Sequence, residues 1–411
     1  MANFQLQVLG KRFPDFRKLI AQSIDDPRDS RGMEYSLSDL ICSTICMFSL
    51  QQESRNSYNQ DRPAITENFQ KILGIKLAHG DTCEDLLRKV DPEQTTGLLN
   101  SMVSKLIESK VLSQFRYNGK YMVAIDATGV HSFSDDQQGT ALRRNSKNGQ
   151  VHYSSAVLEA KLIGENGFAI SLCHEWIQND PDKPNTKQDC ERNAFVRLTQ
   201  KLKKYYPRLP MILLADALYM SDPVISRCKE NNWDFMIVQK ENGSDFMREE
   251  IQLRPDRKRI QQGSECYEYL NDLPYNEHSV HWIGYTGHSR FAWCTSMEVD
   301  SNNVKELSRI ARYRWKIENQ GFDQQKNHGY KLEHLYSRIS PRARSNYYIL
   351  LQIAHMMDQL VQLEVNFKVE IGNFTQKKLR EYLRALLQNT LSKFEKLRNL
   401  LNRKQHHYQR E

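Results

Sequence analysis

Between Tyr121 and Lys240 the chain alternates short apolar runs with amphipathic segments, and this order constrains the fold more than any other feature. Three strand-like runs rich in β-branched and aromatic residues come first, and a helix, a strand, a helix and a strand follow them. The first run is YMVAID, which is predicted to end on Asp126 before the Gly-containing turn ATGVHSF. The other strand-like runs are VHYSSAVLEAKLI, GFAISLCHEWI, MILLADALYM and WDFMIVQK. The order predicts an α/β fold with a mixed sheet and flanking helices, in which the three leading strands form an antiparallel meander.

The segment before this pattern shows helical periodicity. In residues 1–115, SLSDLICSTICMFSL carries apolar residues at helical spacing after Ser36, which predicts a helix with a serine N-cap. A further helix is predicted to begin near Asp81 or Thr82, since either residue type suits an N-cap. These patterns predict a helical N-terminal region.

The segments after Lys240 change character twice. Residues 241–296 hold polar, strand-like runs divided by Gly, Asn and Pro, which predicts a β-rich insertion. Helical spacing then returns, with one long helix predicted at 304–327 and another at 341–362.

The last segment is strongly basic. Residues 376–411 combine a stripe of leucines with ten Lys or Arg residues against three Glu residues, which predicts a basic amphipathic helix. Such a helix either presents a solvated face or contacts a phosphate backbone, and the sequence leaves both interpretations open.

The charge balance and the cysteines narrow the class of protein. A net charge of +8 and a pI near 8.9 fit basic patches around an acidic site better than a uniformly basic surface. The eight cysteines are scattered without a CxxC pair, so neither a disulfide framework nor a zinc site is indicated. No run is long and apolar enough for a signal or a membrane span, and a reducing, cytoplasmic setting with no membrane partner is expected.

Three carboxylates stand in positions that suit metal chemistry. Asp126 and Asp216 each come at the end of an apolar strand-like run, and Glu318 lies on the predicted long helix, one turn after Arg314. Each has an ordinary alternative: Asp126 as a turn residue and Glu318 as the partner of Arg314 in a surface ion pair. Taken together, they predict a site for a pair of Mg²⁺ or Mn²⁺ ions and phosphoryl chemistry on a polynucleotide.

The blocks YMVAIDATG, LLADALY and RWKIENQGF…KNHGYKLEH resemble the DDE transposases of bacterial insertion sequences. More narrowly, the third block is similar to the ISNCY-like group, in which a helical glutamate is followed by Phe and a Lys-Asn-x-Gly-Tyr segment. The resemblance runs from the helical N-terminal region to about residue 360.

The resemblance implies a ribonuclease-H-like core whose catalytic, metal-binding triad is Asp126, Asp216 and Glu318. It implies cleavage and strand transfer of DNA with two divalent ions, on double-stranded transposon ends and target DNA, by a homodimer in a bacterial cytoplasm at the nucleoid. A catalytically inactive or domesticated DNA-binding relative is the alternative.

The resemblance also divides the chain into regions. It implies that the N-terminal region binds the DNA ends or mediates dimerisation. It implies that catalysis is carried out by a core that consists of two segments of the chain. The boundaries are 1–115 for the N-terminal region, 116–240 and 297–365 for the core, 241–296 for the insertion and 366–411 for the basic tail.

Two basic residues and one aromatic residue beside Glu318 are candidates for DNA contacts. Arg314 and Lys326 would neutralise phosphates, and Trp315 either stacks on an unpaired base or packs against the sheet. The broader family signature places Tyr and Lys at fixed distances from the glutamate, and this chain holds Ala311 and Gln325 there instead.

Overall fold

The computed structural model of the chain describes residues 12–29, 31, 33–182, 187–240 and 245–363. The basic helix predicted at 376–411 therefore lies outside the described residues. The chain divides into two compact units: a helical unit, Met1–Leu106 with Asp323–Glu411, and a sheet unit, Ile107–Phe322.

Helices and strands are numbered here in chain order. The α-helices are α1 (Phe16–Ser23), α2 (Leu37–Ser49), α3 (Arg55–Leu73), α4 (Gly80–Leu87), α5 (Pro92–Glu108), α6 (Glu191–Tyr205), α7 (Asp222–Glu230), α8 (Asp245–Leu253), α9 (Val304–Arg312), α10 (Asp323–Asn327) and α11 (Pro341–Leu363). The strands are β1 (Arg116–Tyr117), β2 (Lys120–Phe133), β3 (Leu142–Asn145), β4 (Val151–Ile163), β5 (Ala169–Ile177), β6 (Met211–Ala215), β7 (Asp234–Val238), β8 (Lys258–Gln262), β9 (Glu265–Tyr275), β10 (His278–Thr286) and β11 (Arg290–Thr295). Short 3₁₀ turns span Ser113–Phe115, Ala217–Tyr219 and Tyr313–Trp315, and a π-helical turn spans Ile317–Phe322.

The helical unit is built around α2, whose start is fixed by a capping box. Ser36 Oγ accepts a hydrogen bond from the Asp39 amide at 3.1 Å, and an Asp39 carboxylate oxygen accepts one from the Ser36 amide at 3.0 Å. This confirms the predicted N-cap. Residues 39–48 of α2 are all buried, and α2 packs against α11 within the same unit.

The start of α4 differs from the prediction. Its N-cap is His79, whose Nδ1 accepts a hydrogen bond from the Asp81 amide, so caps at Asp81 or Thr82 are wrong. The helix begins earlier because Gly80 fits against Asn59, whose side-chain oxygen accepts a hydrogen bond from the Gly80 amide at 2.7 Å.

The sheet unit contains one mixed sheet. Its strand order is β3-β4-β2-β6-β7-β11-β10-β9-β8, with β1 paired to β2 and β5 paired to β4. β2 runs parallel to β6 and antiparallel to β4, and β6 runs parallel to β7. The mixed sheet with its helices confirms the predicted α/β class and fits a ribonuclease-H-like fold.

The strands β8–β11 extend this sheet instead of forming a second one. They pair antiparallel in sequence order, and β11 pairs with β7 through registers such as Cys294 with Ile237. The strand character predicted for 241–296 is therefore present, and these strands are continuous with the sheet that carries Asp126 and Asp216.

One face of the sheet is closed by α9 and the π-helical turn. The apolar residues of the turn, Ile317 and Phe322, are buried with residues of β2 and β6 in one hydrophobic cluster. The other members from α9, β2 and β6 are Met122, Ala124, Ile212, Leu214, Val304, Leu307, Ile310 and Ala311. Burial of this surface fixes the segment that carries Glu318 against the strands that carry the two aspartates.

Two local predictions are wrong. The run through Asp126 does not end there, because β4 pairs with β2 along its length and β2 continues to Phe133. The single helix predicted at 304–327 is instead divided into α9, a 3₁₀ turn, the π-helical turn and α10. Among the described residues, no helix is both long and apolar enough to cross a membrane.

Candidate active site

The parallel pairing of β2 with β6 brings two aspartates to the same level. The register pairs Ala124 with Leu214, and each aspartate comes two residues later, Asp126 within β2 and Asp216 directly after the end of β6. Adjacent strands lie about 4.8 Å apart, and level residues project to the same face. The described part of the chain thus places both predicted aspartates at one edge of the parallel pairing.

Asp216 is held by the turn that follows β6. It is the N-cap of the 3₁₀ turn Ala217–Tyr219, and its side-chain oxygen Oδ1 accepts a hydrogen bond from the Leu218 amide at 2.8 Å. Because β6 ends here and the chain turns away, the Asp216 side chain has a fixed position at the end of a buried strand.

Glu318 reaches Asp126 through the π-helical turn. Arg314 lies one turn earlier, and its Nη1 donates to Glu318 Oε1 at 2.8 Å and to Asp126 Oδ2 at 3.2 Å. The two carboxyl groups are therefore held beside one another by one guanidinium, which donates to both. The ordinary interpretation of Glu318 as a partner of Arg314 is therefore correct in part, since the same guanidinium also binds Asp126.

The electrostatics of Asp126 are those of a crowded carboxylate. Burial and the neighbouring Glu318 carboxyl group raise the pKa of Asp126 to about 7, although the Arg314 guanidinium opposes that shift. A single guanidinium does not compensate two carboxylates at this position, so the site favours an added proton or an added cation.

Arg314 has unused hydrogen-bonding capacity. Its side chain is 11 % exposed, and its Nε is buried without a hydrogen-bond partner in the described part of the chain. An arginine fork that lacks a full set of acceptors is suited to the oxygens of a phosphate group.

The donor atoms fit divalent cations by their chemistry. Within the described residues no cluster of three or more His, Cys, Asp or Glu side chains is arranged as a ready-made metal cage. Mg²⁺ does not require one, because it is commonly held by one or two carboxylates together with water and substrate phosphates. Asp126 and Glu318 offer such oxygen ligands, because one guanidinium does not neutralise the charge of both carboxylates. Asp216, at the end of the neighbouring strand β6, offers another.

Trp315 is the exposed end of a row of aromatic rings. Its side chain is 54 % exposed, and its ring meets Phe291 edge-on at 6.5 Å. Phe291 in turn stacks on Trp293 at 5.7 Å. Both interpretations of Trp315 are thus compatible with its position, since one edge packs against the sheet and much of the ring faces solvent.

Lys326 belongs to the helical unit, where its Nζ lies 2.7 Å from Glu333 Oε1. The preceding residue, Gln325, occupies the position of the lysine in the broader family signature. It is fully buried, and its amide nitrogen lies 2.8 Å from Gln352 Oε1 and 2.9 Å from His355 Nδ1. A charged residue at position 325 would lack a partner of opposite charge in that network.

Sequence reasoning missed a fourth carboxylate near Asp216. Tyr219 is buried, and its hydroxyl donates to Glu191 Oε1 at 2.5 Å. Burial and the negative charge of Asp216 raise the pKa of Glu191, and the hydrogen bond from Tyr219 partly opposes that rise. Only the position of Glu191 at the start of an amphipathic helix was visible in the sequence, and that position also suits a simple interaction with the helix dipole.

A buried ion pair in β4 was missed as well. Glu159 and Lys161 are both fully buried, and Lys161 Nζ lies 3.3 Å from Glu159 Oε2. Burial lowers the pKa of Lys161, and the charge of Glu159 opposes that shift. In the sequence these residues look like exposed positions of an alternating strand.

Comparison with known protein families identifies a transposase family. The family model described as Transposase DDE domain matches residues 118–357, which is more than half of the chain. The matched segment includes all three predicted carboxylates. No protein in a comparison with curated sequences matches the chain.

Proposed function

Because the chain belongs to the transposase DDE domain family, we propose that it cleaves DNA at the ends of an insertion sequence and joins the freed ends to target DNA. The observation that supports this most strongly is that Asp126 and Glu318, from distant parts of the chain, bind one guanidinium. Arg314 donates to both Asp126 and Glu318, and Asp216 directly follows the strand that pairs in parallel with the strand holding Asp126. The narrower assignment to the ISNCY-like group stays a prediction.

In this proposal Asp126, Asp216 and Glu318 hold two divalent cations, Mg²⁺ or Mn²⁺. Such ions, when bound, supply activation of the attacking oxygen and charge stabilisation of the leaving oxygen. The protein's own part is to place the carboxylates: two by strand register and one by a helical turn that is packed into the hydrophobic core.

The proposed reaction consists of two successive displacements at phosphorus. In the first, a water oxygen bonds to the phosphorus and the bond from phosphorus to the 3′-oxygen breaks, which leaves a 3′-hydroxyl. In the second, the oxygen of that hydroxyl bonds to a phosphorus of target DNA, the bond from this phosphorus to the target 3′-oxygen breaks, and the proton passes to that oxygen, which leaves a 3′-hydroxyl on the target strand. Both steps use the same carboxylates.

The basic and aromatic neighbours would position DNA. Arg314 offers a guanidinium fork with a free Nε to a phosphate. Trp315 offers an exposed ring face to an unpaired base, and Lys326 offers a point charge to the backbone. The partner is double-stranded DNA, both as transposon ends and as target.

We further propose a homodimer in the active complex, because an element has two ends that must be processed together. The site of action would be the bacterial nucleoid. A mass measurement of the complex with end DNA should give two chains of 48.3 kDa each; a complex with one chain would refute the dimer.

The test uses DNA from both sides of this gene as substrate. The protein should shift these fragments on a gel without metal and cut them only when Mg²⁺ or Mn²⁺ is added. Binding without cleavage under every metal condition would instead favour the inactive DNA-binding relative. Neither binding nor cleavage, by protein that is folded, would contradict both.

A further inference from the structure

The charged pair in β4 is unusual because it is completely removed from solvent. Glu159 and Lys161 each have 0 % exposed side chain, and their charged atoms lie 3.3 Å apart. Ser171 on β5 donates its hydroxyl hydrogen to Glu159 Oε2 at 2.7 Å. The carboxylate is therefore tied to two partners from two strands, which fixes its orientation.

The pair lies beside the candidate active site. In the antiparallel ladder of β2 and β4, Glu159 is the direct partner of Asp126. Directly opposed residues project to the same face, with Cβ atoms about 4.5–5.5 Å apart. Glu159 and Asp126 thus stand side by side, and Lys161, two residues along β4, shares that face.

The lysine also supports the turn that carries Glu318. At Gly321 the π-helical turn approaches the Lys161 side chain so closely that a Cβ would lie 3.2 Å from Cδ and 3.3 Å from Cε. Next in the chain, the Phe322 ring centroid lies 5.7 Å from Lys161 Nζ. The lack of a side chain at Gly321 is what allows this approach.

Stability alone does not explain a buried ion pair here. Replacing such a pair by apolar residues of similar volume is often neutral or stabilising, so the pair does not add stability as such. An ion pair between two fixed partners holds the long lysine stem in one conformation, and the turn rests on that stem.

We propose that Glu159 and Lys161 are positioning residues of the active site, which hold the π-helical turn at Gly321 and so set the place of the Glu318 carboxylate relative to Asp126. This inference rests on the proposed function, because it takes Asp126 and Glu318 as metal ligands. Neither residue of the pair is assigned contact with DNA or metal.

The test is a titration of the full-length protein with Mn²⁺ alone, followed by the electron paramagnetic resonance signal of free Mn²⁺. Two variants disturb the support from opposite sides. Glu159→Gln with Lys161→Met removes both charges, keeps an acceptor for Ser171 and avoids an uncompensated buried charge. Gly321→Ala adds a methyl group against the lysine stem.

Both variants should bind Mn²⁺ about 10- to 100-fold more weakly than wild type, the range seen when groups that orient metal ligands are removed. Their melting temperatures and their metal-free affinity for DNA should stay close to those of wild type. A purely structural role would lower the melting temperature and leave the Mn²⁺ affinity of the folded protein unchanged.

Gly97→Ala is the matched control, because a Cβ at Gly97 in α5 meets nothing within 4 Å; it should bind Mn²⁺ as wild type does. Asp126→Asn separates the two proposals. If Asp126→Asn loses Mn²⁺ binding and both test variants keep it, the positioning role is refuted and the proposed site stands. If Asp126→Asn binds Mn²⁺ like wild type, the proposed metal site itself is wrong.

Discussion

Asp126 is the residue of the site whose negative charge is disfavoured, by burial and by the neighbouring Glu318 carboxyl group. Its carboxyl group lies beside the carboxyl group of Glu318, and one guanidinium, that of Arg314, donates hydrogen bonds to both. A pKa raised from 3.8 to about 7 means that the folded protein retains a proton which the unfolded chain has lost. The free energy of unfolding should therefore fall as the pH rises from about 4 to about 7.

Replacing Asp126 by Asn should remove this pH dependence. In protein freed of metal with a chelator, the free energy of unfolding at pH 8 should be larger for Asp126→Asn than for wild type, by on the order of a few kcal/mol. The melting temperature of the variant should be higher accordingly. The difference should shrink towards pH 4, where the wild-type carboxyl group is protonated. Melting temperatures of both proteins, measured between pH 4 and pH 8, test the direction of this effect. If the two melting temperatures change with pH in the same way, the raised pKa of Asp126 does not lower the stability.

Trp315 gives a second prediction at the same scale. Replacing Trp315 by Ala should weaken binding to forked DNA with unpaired bases by about 1–3 kcal/mol, because one base would lose its stacking platform. Fluorescence anisotropy measures this affinity, and Trp315→Phe is the control that keeps an aromatic face. If Trp315→Ala and wild type bind the forked DNA equally well, Trp315 does not stack on a base, and its contact with Phe291 is its remaining role.

At the scale of elements, the strands and helices follow from local patterns. β4, β5, β6, β7, α6 and α7 are where the apolar periodicity predicts them, because each carries its own alternation or helical stripe. The continuation of β2 past Asp126 depends on pairing with β4, which local sequence does not encode. The π-helical turn was equally hidden, since one extra residue in a turn leaves the helical spacing almost unchanged.

The site shows the same limit. Asp126, Asp216 and Glu318 were visible as carboxylates at the ends of apolar runs or beside Arg314. The Glu159–Lys161 pair was not, because an acidic and a basic residue two apart on a strand normally face solvent. The Lys161 stem is covered by the π-helical turn, which comes from a segment more than a hundred residues later in the chain.

The capping box of α2 provides a prediction for an element. Replacing Ser36 by Ala should destabilise the protein by about 1 kcal/mol, because the Asp39 amide loses its acceptor at the start of a buried helix. The urea midpoint should fall accordingly. Ser104→Ala, in the middle of α5, is the control and should cause no loss, since Ala favours a helix interior. An unchanged midpoint for Ser36→Ala would show that the cap contributes nothing.

For the whole molecule, membership of the transposase DDE domain family assigns the chain to DNA transposition and recombination. The catalytic triad and the metal ions are proposals that rest on the carboxylates of the sheet unit, and the dimer is a proposal that rests on the two ends of an element. The division of the chain into N-terminal region, core, insertion and tail likewise stays a prediction.

The most direct measurement is strand cleavage of end DNA by single carboxylate variants, with Mg²⁺ and with Mn²⁺. Asp126→Asn, Asp216→Asn and Glu318→Gln should each lose cleavage by at least about a hundredfold, the scale on which removal of one charge-stabilising group acts, and each should still bind the DNA. Glu165→Gln, at an exposed carboxylate paired with Arg309, should cleave like wild type. Wild-type cleavage by any one of the three variants would contradict the assignment of that residue to the triad.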